Sequence, residues 1–167
     1  MKIIGIDPGI GGAVAMIGET ASVFDIPTTP HCLSGKSRQM VNLRKLVELL
    51  QTCGKAEVFC EEVGPMPWDT PLTAWQFSDS YRAVRDAVDV AGYPVTFVKP
   101  VIWRRNAGLS SVSSKLPKAE QTVLRKNQSR ERALQLFPAL IDQLYAESSH
   151  NRADALLIAW YGKEKGL

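Results

Sequence analysis

The sequence offers little to cross-link. It has only three cysteines, Cys32, Cys53 and Cys60. An odd number with no Cys-x-x-Cys pair argues against a disulfide framework and against a zinc site. A reducing compartment fits best. No apolar run reaches the length of a membrane span, and the N-terminus lacks a signal-peptide pattern. Internal repeats and low-complexity tracts are absent as well, which excludes solenoid and tail-like architectures.

What is present suits one ordinary domain. The chain has 167 residues, 45% of them hydrophobic and 22% charged, enough for a core and too apolar for a disordered chain. A single domain over 1–167 is expected. The net charge of +3 is unevenly placed. Between Lys99 and Arg132 nine Lys or Arg face two Glu, a net +7, whereas the remainder carries eleven against fifteen, a net −4. A basic third of this kind suits a polyphosphate surface, or else a solvated loop rich in lysine.

Hydrophobic periodicity orders the rest. Strands are expected at 2–7, 12–17 and 21–26, then a Pro- and Gly-bearing loop over 27–37. Met40, Leu43, Leu46, Val47 and Leu50 predict a helix over 39–53, stopped by Gly54. A fourth strand at 56–61 alternates Val58 and Cys60 against Phe59 and Glu61. A helix with an apolar and aromatic stripe follows at 72–91, then a strand at 94–99 and a helical turn at 101–106. The Ser- and Lys-rich stretch up to Arg125 reads as irregular, with a mobile basic segment at about 107–127. Helices are expected at 129–137, 139–146 and 148–163. The order βββαβαβ predicts an α/β fold with a five-stranded mixed sheet flanked by helices. Strands one, four and five would be parallel through right-handed crossovers.

Three places in this layout carry chemistry. Asp7 ends a buried strand just before Pro8-Gly9. Either it binds a divalent metal, with Gly11 and Gly12 keeping bulky side chains away, or it is a turn-forming aspartate. Glu61 ends the strand expected to lie beside the first, and is otherwise a strand-end surface charge. His150 and Asp154, four apart, share one face of the last helix, and are otherwise a salt bridge at a helix start. Neighbouring parallel strands end at one edge, and the apolar face of Ala153, Leu156, Leu157 and Trp160 packs the helix on the sheet. The set Asp7, Glu61, His150 and Asp154 would then converge on hard oxygen and nitrogen ligation suited to Mg²⁺ or Mn²⁺.

Gly5-Ile-Asp-Pro-Gly9, Phe59-Cys-Glu-Glu-Val63 and Arg152-Ala-Asp-Ala-Leu-Leu-Ile-Ala159 resemble the RuvC family of Holliday-junction resolvases, nucleases of the ribonuclease H-like fold. The order and spacing match over nearly the whole chain. His150-Asn-Arg-Ala-Asp154, Trp103-Arg104, Gly108-Leu109 and Ser129-Arg130 look closer to the plant organellar branch. Asn151 stands where bacterial members often have an acid, Glu62 where they commonly have Gln, and Gly64 where they place a stacking aromatic.

The resemblance implies an endonuclease that resolves four-way DNA junctions by paired nicks through two-metal hydrolysis. Asp7, Glu61 and Asp154 would be ligands for two Mg²⁺ or Mn²⁺ ions, with His150 as fourth ligand or general base. It implies a homodimer through the helix at 72–91. Lys99, Arg104, Arg105, Lys115, Lys118, Lys126 and Arg130 are candidate DNA contacts, and Met66 or Trp68 a wedge at the junction core. The expected location is the cytoplasm of a bacterial or phage-infected cell, or an organelle after removal of a transit peptide. Two other readings compete. One is a catalytically idle RuvC-like module in nucleic-acid binding or RNA processing. The other is an actin-like ATP-binding unit, for which 167 residues are too few.

Overall fold

Residues 2–7 alternate their side chains between two buried layers, and this strand is the spine of the molecule. The computed structural model describes residues 1–33, 36–64 and 69–166. Strand β1 (Lys2–Asp7) pairs antiparallel with β2 (Ala13–Ile17), which pairs antiparallel with β3 (Ala21–Asp25). On its other side β1 pairs in parallel with β6 (Ala56–Glu61), and β6 with β7 (Val95–Val98). The sheet order is therefore β3-β2-β1-β6-β7, the mixed five-stranded sheet expected from the sequence.

Two helical layers cover it. On one face Ile4, Ile6, Val14, Val58 and Cys60 meet Leu46 and Leu50 of α1 (Leu43–Gln51) and Val84 and Val88 of α2 (Pro71–Val90). On the other, Ile3, Ala15, Phe59 and Val98 meet three helices: α3 (Pro100–Asn106), α4 (Lys118–Leu136) and α6 (His150–Lys165). A short α5 (Ile141–Leu144) links the last two. Buried Leu156, Leu157 and Ile158 make α6 the main cover of this face.

Helix α6 lies directly on the backbone of β1. A Cβ at Gly5 would stand 2.3 Å from both the Ala155 carbonyl oxygen and the Ala159 amide nitrogen. Only glycine admits that approach. The start of α6 is tied down separately. Arg152 makes a bidentate pair with Asp25 at the end of β3, Nε to Oδ1 and Nη2 to Oδ2 both at 2.6 Å. The Asn151 side-chain amide donates to the Gly11 carbonyl in the β1–β2 turn.

Two stretches differ from expectation. The presumed loop over 27–37 is an antiparallel hairpin, β4 (Thr28–Leu33) and β5 (Lys36–Val41), forming a sheet of its own. Pro30 is tolerated because each strand of a two-stranded sheet has one free edge. Met40 fits a helical period with Leu43 and Val47, yet it pairs with Thr29 across the hairpin. Helix α1 therefore starts at Leu43, capped by Asn42, whose Oδ1 accepts from the Lys45 amide at 3.1 Å. The second stretch is α4, which begins at Lys118 and not near Ser129. Its first two turns are exposed almost all round, Val123 and Leu124 included, so they carry no apolar stripe for a sequence reading to detect.

Gly5→Ala is expected to lower stability by about 2 kcal/mol or more, because rigid helix backbone fills the space its methyl needs. Gly64→Ala, with nothing among the described residues within 4 Å of its Cβ position, is expected to stay within about 0.5 kcal/mol of wild type. Urea midpoints of the two variants check this contrast.

Candidate active site

Register and face decide what meets at the carboxyl edge of the sheet. Ile6 of β1 pairs with Cys60 of β6. Asp7 and Glu61, each one residue further on, therefore stand level at adjacent strand ends. Both share the face of Ile3 and Phe59, the one covered by α6. Asp154 sits one residue before Ala155, whose carbonyl rests over Gly5, so the seating of α6 brings Asp154 to the two strand ends.

The three acids sense one another. Burial pushes Asp7 well above the usual carboxylate range, and the Asp154 and Glu61 carboxylates push it further. Glu61 is pushed up to about 7, chiefly by burial and then by Asp154, against the pull of the Trp103 hydrogen bond and of Arg104. Asp154 is pushed up to about 6 by burial, against the Ser129 hydroxyl, Arg104 and Lys126. Cys60, on the opposite face, has its thiol pushed up by burial first and then by Asp7 and Glu61, which leaves it an inert core residue.

The surrounding groups come from α3 and α4. Trp103, 1% exposed, donates its indole Nε1–H to Glu61 Oε1 at 2.9 Å. Arg104 is half-buried and turned inward, with Nη1 4.0 Å from Asp154 Oδ1 and donating to Ser129 Oγ at 3.0 Å. Burial lowers its pKa from the ordinary value while Asp154 raises it. Arg104 Nη2 and Asp154 Oδ1 are buried with no hydrogen-bond partner. His150 is the first residue of α6, half-buried and one turn before Asp154.

Asp7, Glu61 and Asp154 are thus brought into one desolvated cluster, with His150 one turn from its edge. Among the remaining candidates, Lys99, Arg105, Lys115, Lys118 and Lys126 are exposed, and Arg130 is half-buried. Met66 and Trp68 lie outside the described residues. The roles of Trp103 and Ser129 were not anticipated. In the sequence they are only members of short motifs, and nothing local to 103 or 129 says which carboxylate each faces.

Among the described residues no three His, Cys, Asp or Glu side chains already surround a single point. The fit to a divalent cation therefore rests on donor chemistry. Three carboxylates, short of positive charge and with Asp154 Oδ1 unpaired, form a hard oxygen donor set that suits Mg²⁺ or Mn²⁺.

No protein-family model and no curated protein matches the chain at the level of sequence. Solved structures do match. A T. thermophilus RuvC in complex with a Holliday junction substrate superposes with a TM-score of 0.54 at 16% identity, over 98% of this chain and 96% of that one. A second Thermus thermophilus RuvC structure gives 0.54 at 15%, over 99% and 97%. The chain has the RuvC fold. This ribonuclease H-like architecture accounts for the mixed sheet, the flanking helices and the meeting of β1, β6 and α6 at one edge. The RuvC likeness spans both chains nearly end to end, so the hairpin of β4 and β5 and the helix α4 lie within its extent.

The raised carboxylates make stability depend on pH. Between about pH 4.5 and 7 the folded protein holds protons on Glu61 that the unfolded chain has released, so stability falls as pH rises through that window. For Glu61 alone the full loss is on the order of 3 kcal/mol. The metal-free protein is therefore expected to melt at a lower temperature at pH 8 than at pH 5. Mn²⁺ should raise the melting temperature more at pH 8, and Glu61→Gln should flatten the pH profile. Thermal melts in chelator and in Mn²⁺ across that range check all three.

Proposed function

We propose that this chain is a metal-dependent endonuclease that resolves four-way DNA junctions by paired, symmetric nicks. The observation that carries the reading is the convergence of Asp7, Glu61 and Asp154 in one desolvated, mutually repelling cluster. It lies at the sheet edge of a fold whose solved relative is held on a Holliday junction substrate.

In this reading Asp7, Glu61 and Asp154 hold two divalent cations, with His150 as a fourth ligand or as the base that takes the proton from the attacking water. The bound cations would supply the positive charge that makes water acidic enough to attack phosphorus and that offsets charge on the departing oxygen. The chain does the positioning. Trp103 and Ser129 hold the Glu61 and Asp154 carboxylates from the side away from solvent. The inward guanidinium of Arg104 stands beside Asp154, where it lessens the cost of gathering three acids.

DNA would lie along the basic third of the chain. Lys99, Arg105, Lys115, Lys118, Lys126 and Arg130 supply phosphate contacts that position the backbone without reading sequence. Helix α4 gives several of them a rigid frame, presenting Lys118 and Lys126 on exposed turns. Two symmetric cuts need two active sites, and α2 is the proposed dimer element. Its Leu72 and Trp75 are more than half exposed, beside a groove of about 570 Å³ shared with Met40 and Val41 of β5.

Asp7→Asn and Glu61→Gln are expected to abolish cleavage of a four-way junction in Mg²⁺ or Mn²⁺ while leaving junction binding within a few-fold of wild type. A loss of several kcal/mol of transition-state stabilisation corresponds to at least about a thousandfold in rate. Gel assays on junction, flap, duplex and RNA substrates measure both quantities. Junction binding by the wild type without cutting of any substrate in either metal would return the idle-module reading.

Junction affinity should fall steeply between about 50 and 200 mM salt, each phosphate contact adding close to one unit to the log–log slope. Charge reversal at Lys118 and Lys126 should make that slope shallower. A slope unchanged by the double reversal removes α4 from the DNA path.

A further inference from the structure

Trp103 stands apart from the other aromatic side chains among the described residues. Its ring is 1% exposed, within the apolar layer formed by Ile3, Phe59, Val98, Ala107 and Leu156. Its one polar atom does not turn to backbone or solvent. Nε1–H donates to Glu61 Oε1 at 2.9 Å, across forty-two residues of sequence. The position is over-determined. Pro100 opens α3 directly behind β7, which pairs with β6, and Trp103 Cα follows on the first turn of that helix. Core packing thus fixes the indole, whereas Glu61 reaches it through a longer and more rotatable side chain.

We infer that Trp103 is a positioning residue for metal binding: its indole N–H holds one oxygen of Glu61 so that the other faces Asp7 and Asp154. This rests on the proposed metal-dependent reading of the site. A glutamate has three rotatable side-chain bonds, and the like charge of Asp154 opposes holding its carboxylate inward. A neutral, rigid donor counters that repulsion without adding a charge that would compete with a cation. Arg104, the next residue, turns to Asp154 and Ser129, so consecutive residues of α3 attend two different carboxylates. Partners that orient ligating carboxylates in this way commonly alter metal affinity about 10- to 100-fold when removed.

The alternative is a core tryptophan whose N–H takes the nearest acceptor and whose loss affects folding alone. Trp103→Phe separates the two, since it keeps an aromatic ring in the layer and removes only the donor and part of the ring. Mn²⁺ binding to the full chain without DNA, followed by titration calorimetry, is expected to weaken about tenfold. The Mn²⁺ concentration for half-maximal junction cleavage should rise in step, with the rate largely recovered at saturating metal. A folded Trp103→Phe protein with wild-type Mn²⁺ affinity overturns the inference and leaves the nuclease reading standing. A wild type that binds no Mn²⁺ overturns both.

Should Trp103→Phe fail to fold, indole ¹H–¹⁵N spectra of the wild type decide the matter. The Trp103 N–H signal, assigned by selective labelling, is expected to shift on Mg²⁺ addition and to remain protected from solvent exchange. In Glu61→Gln the same titration should leave it in place. A Trp103 signal indifferent to Mg²⁺ in the wild type overturns the inference.

Discussion

The seating of α6 on the bare backbone of β1 at Gly5 is the contact on which the rest depends. A helix resting on a strand at that distance has little freedom to slide, because residues of β1 on either side of Gly5 carry side chains that the helix backbone cannot approach as closely. Ala155 and Ala159 are the small residues that close the gap, and Asp154 follows from their register. Gly162 repeats the device one turn on, where a Cβ would lie 2.4 Å from the Phe59 ring. The approach that fixes the helix is thus also what carries a carboxylate to within electrostatic reach of two strand ends.

That gathering opposes folding. Burial raises the proton affinity of all three acids, Asp154 adds to the rise at Asp7 and Glu61, and Glu61 adds to it at Asp7. The nearby counter-charge, Arg104, is half-buried with an unpaired nitrogen. Structures retain such frustration where a ligand relieves it. Hydrophobic burial in two full layers offsets the cost, and the Arg152–Asp25 pair holds the helix start against the repulsion.

How much of this was legible in the sequence depended on whether a residue's partner was local. β1, β6 and α6 carry strong apolar patterns, so their ends were readable, and with them the edge where Asp7, Glu61 and Asp154 meet. Parallel pairing followed from the crossover rule. What could not be read was set by tertiary context. Pro27, Pro30 and Gly35 are loop signals, yet Pro27 falls just before β4 and a hairpin with free edges accommodates Pro30. The first turns of α4 have no buried face and hence no period. Arg104 reads as one more surface cation until Ser129 and Asp154 are seen beside it, and the link from Trp103 to Glu61 crosses two elements.

The arrangement also has a consequence for biosynthesis. β1 leaves the ribosome first of the sheet strands, and α6 last of the helices. Until α6 emerges, the apolar face formed by Ile3, Ala15 and Phe59 has lost its main cover, and Asp7 and Glu61 lack the third acid. Contacts so distant in sequence form late and slowly. A nascent or truncated chain ending before residue 150 therefore lacks the complete acidic corner, and the same uncovered face marks it as a target for chaperones and proteases.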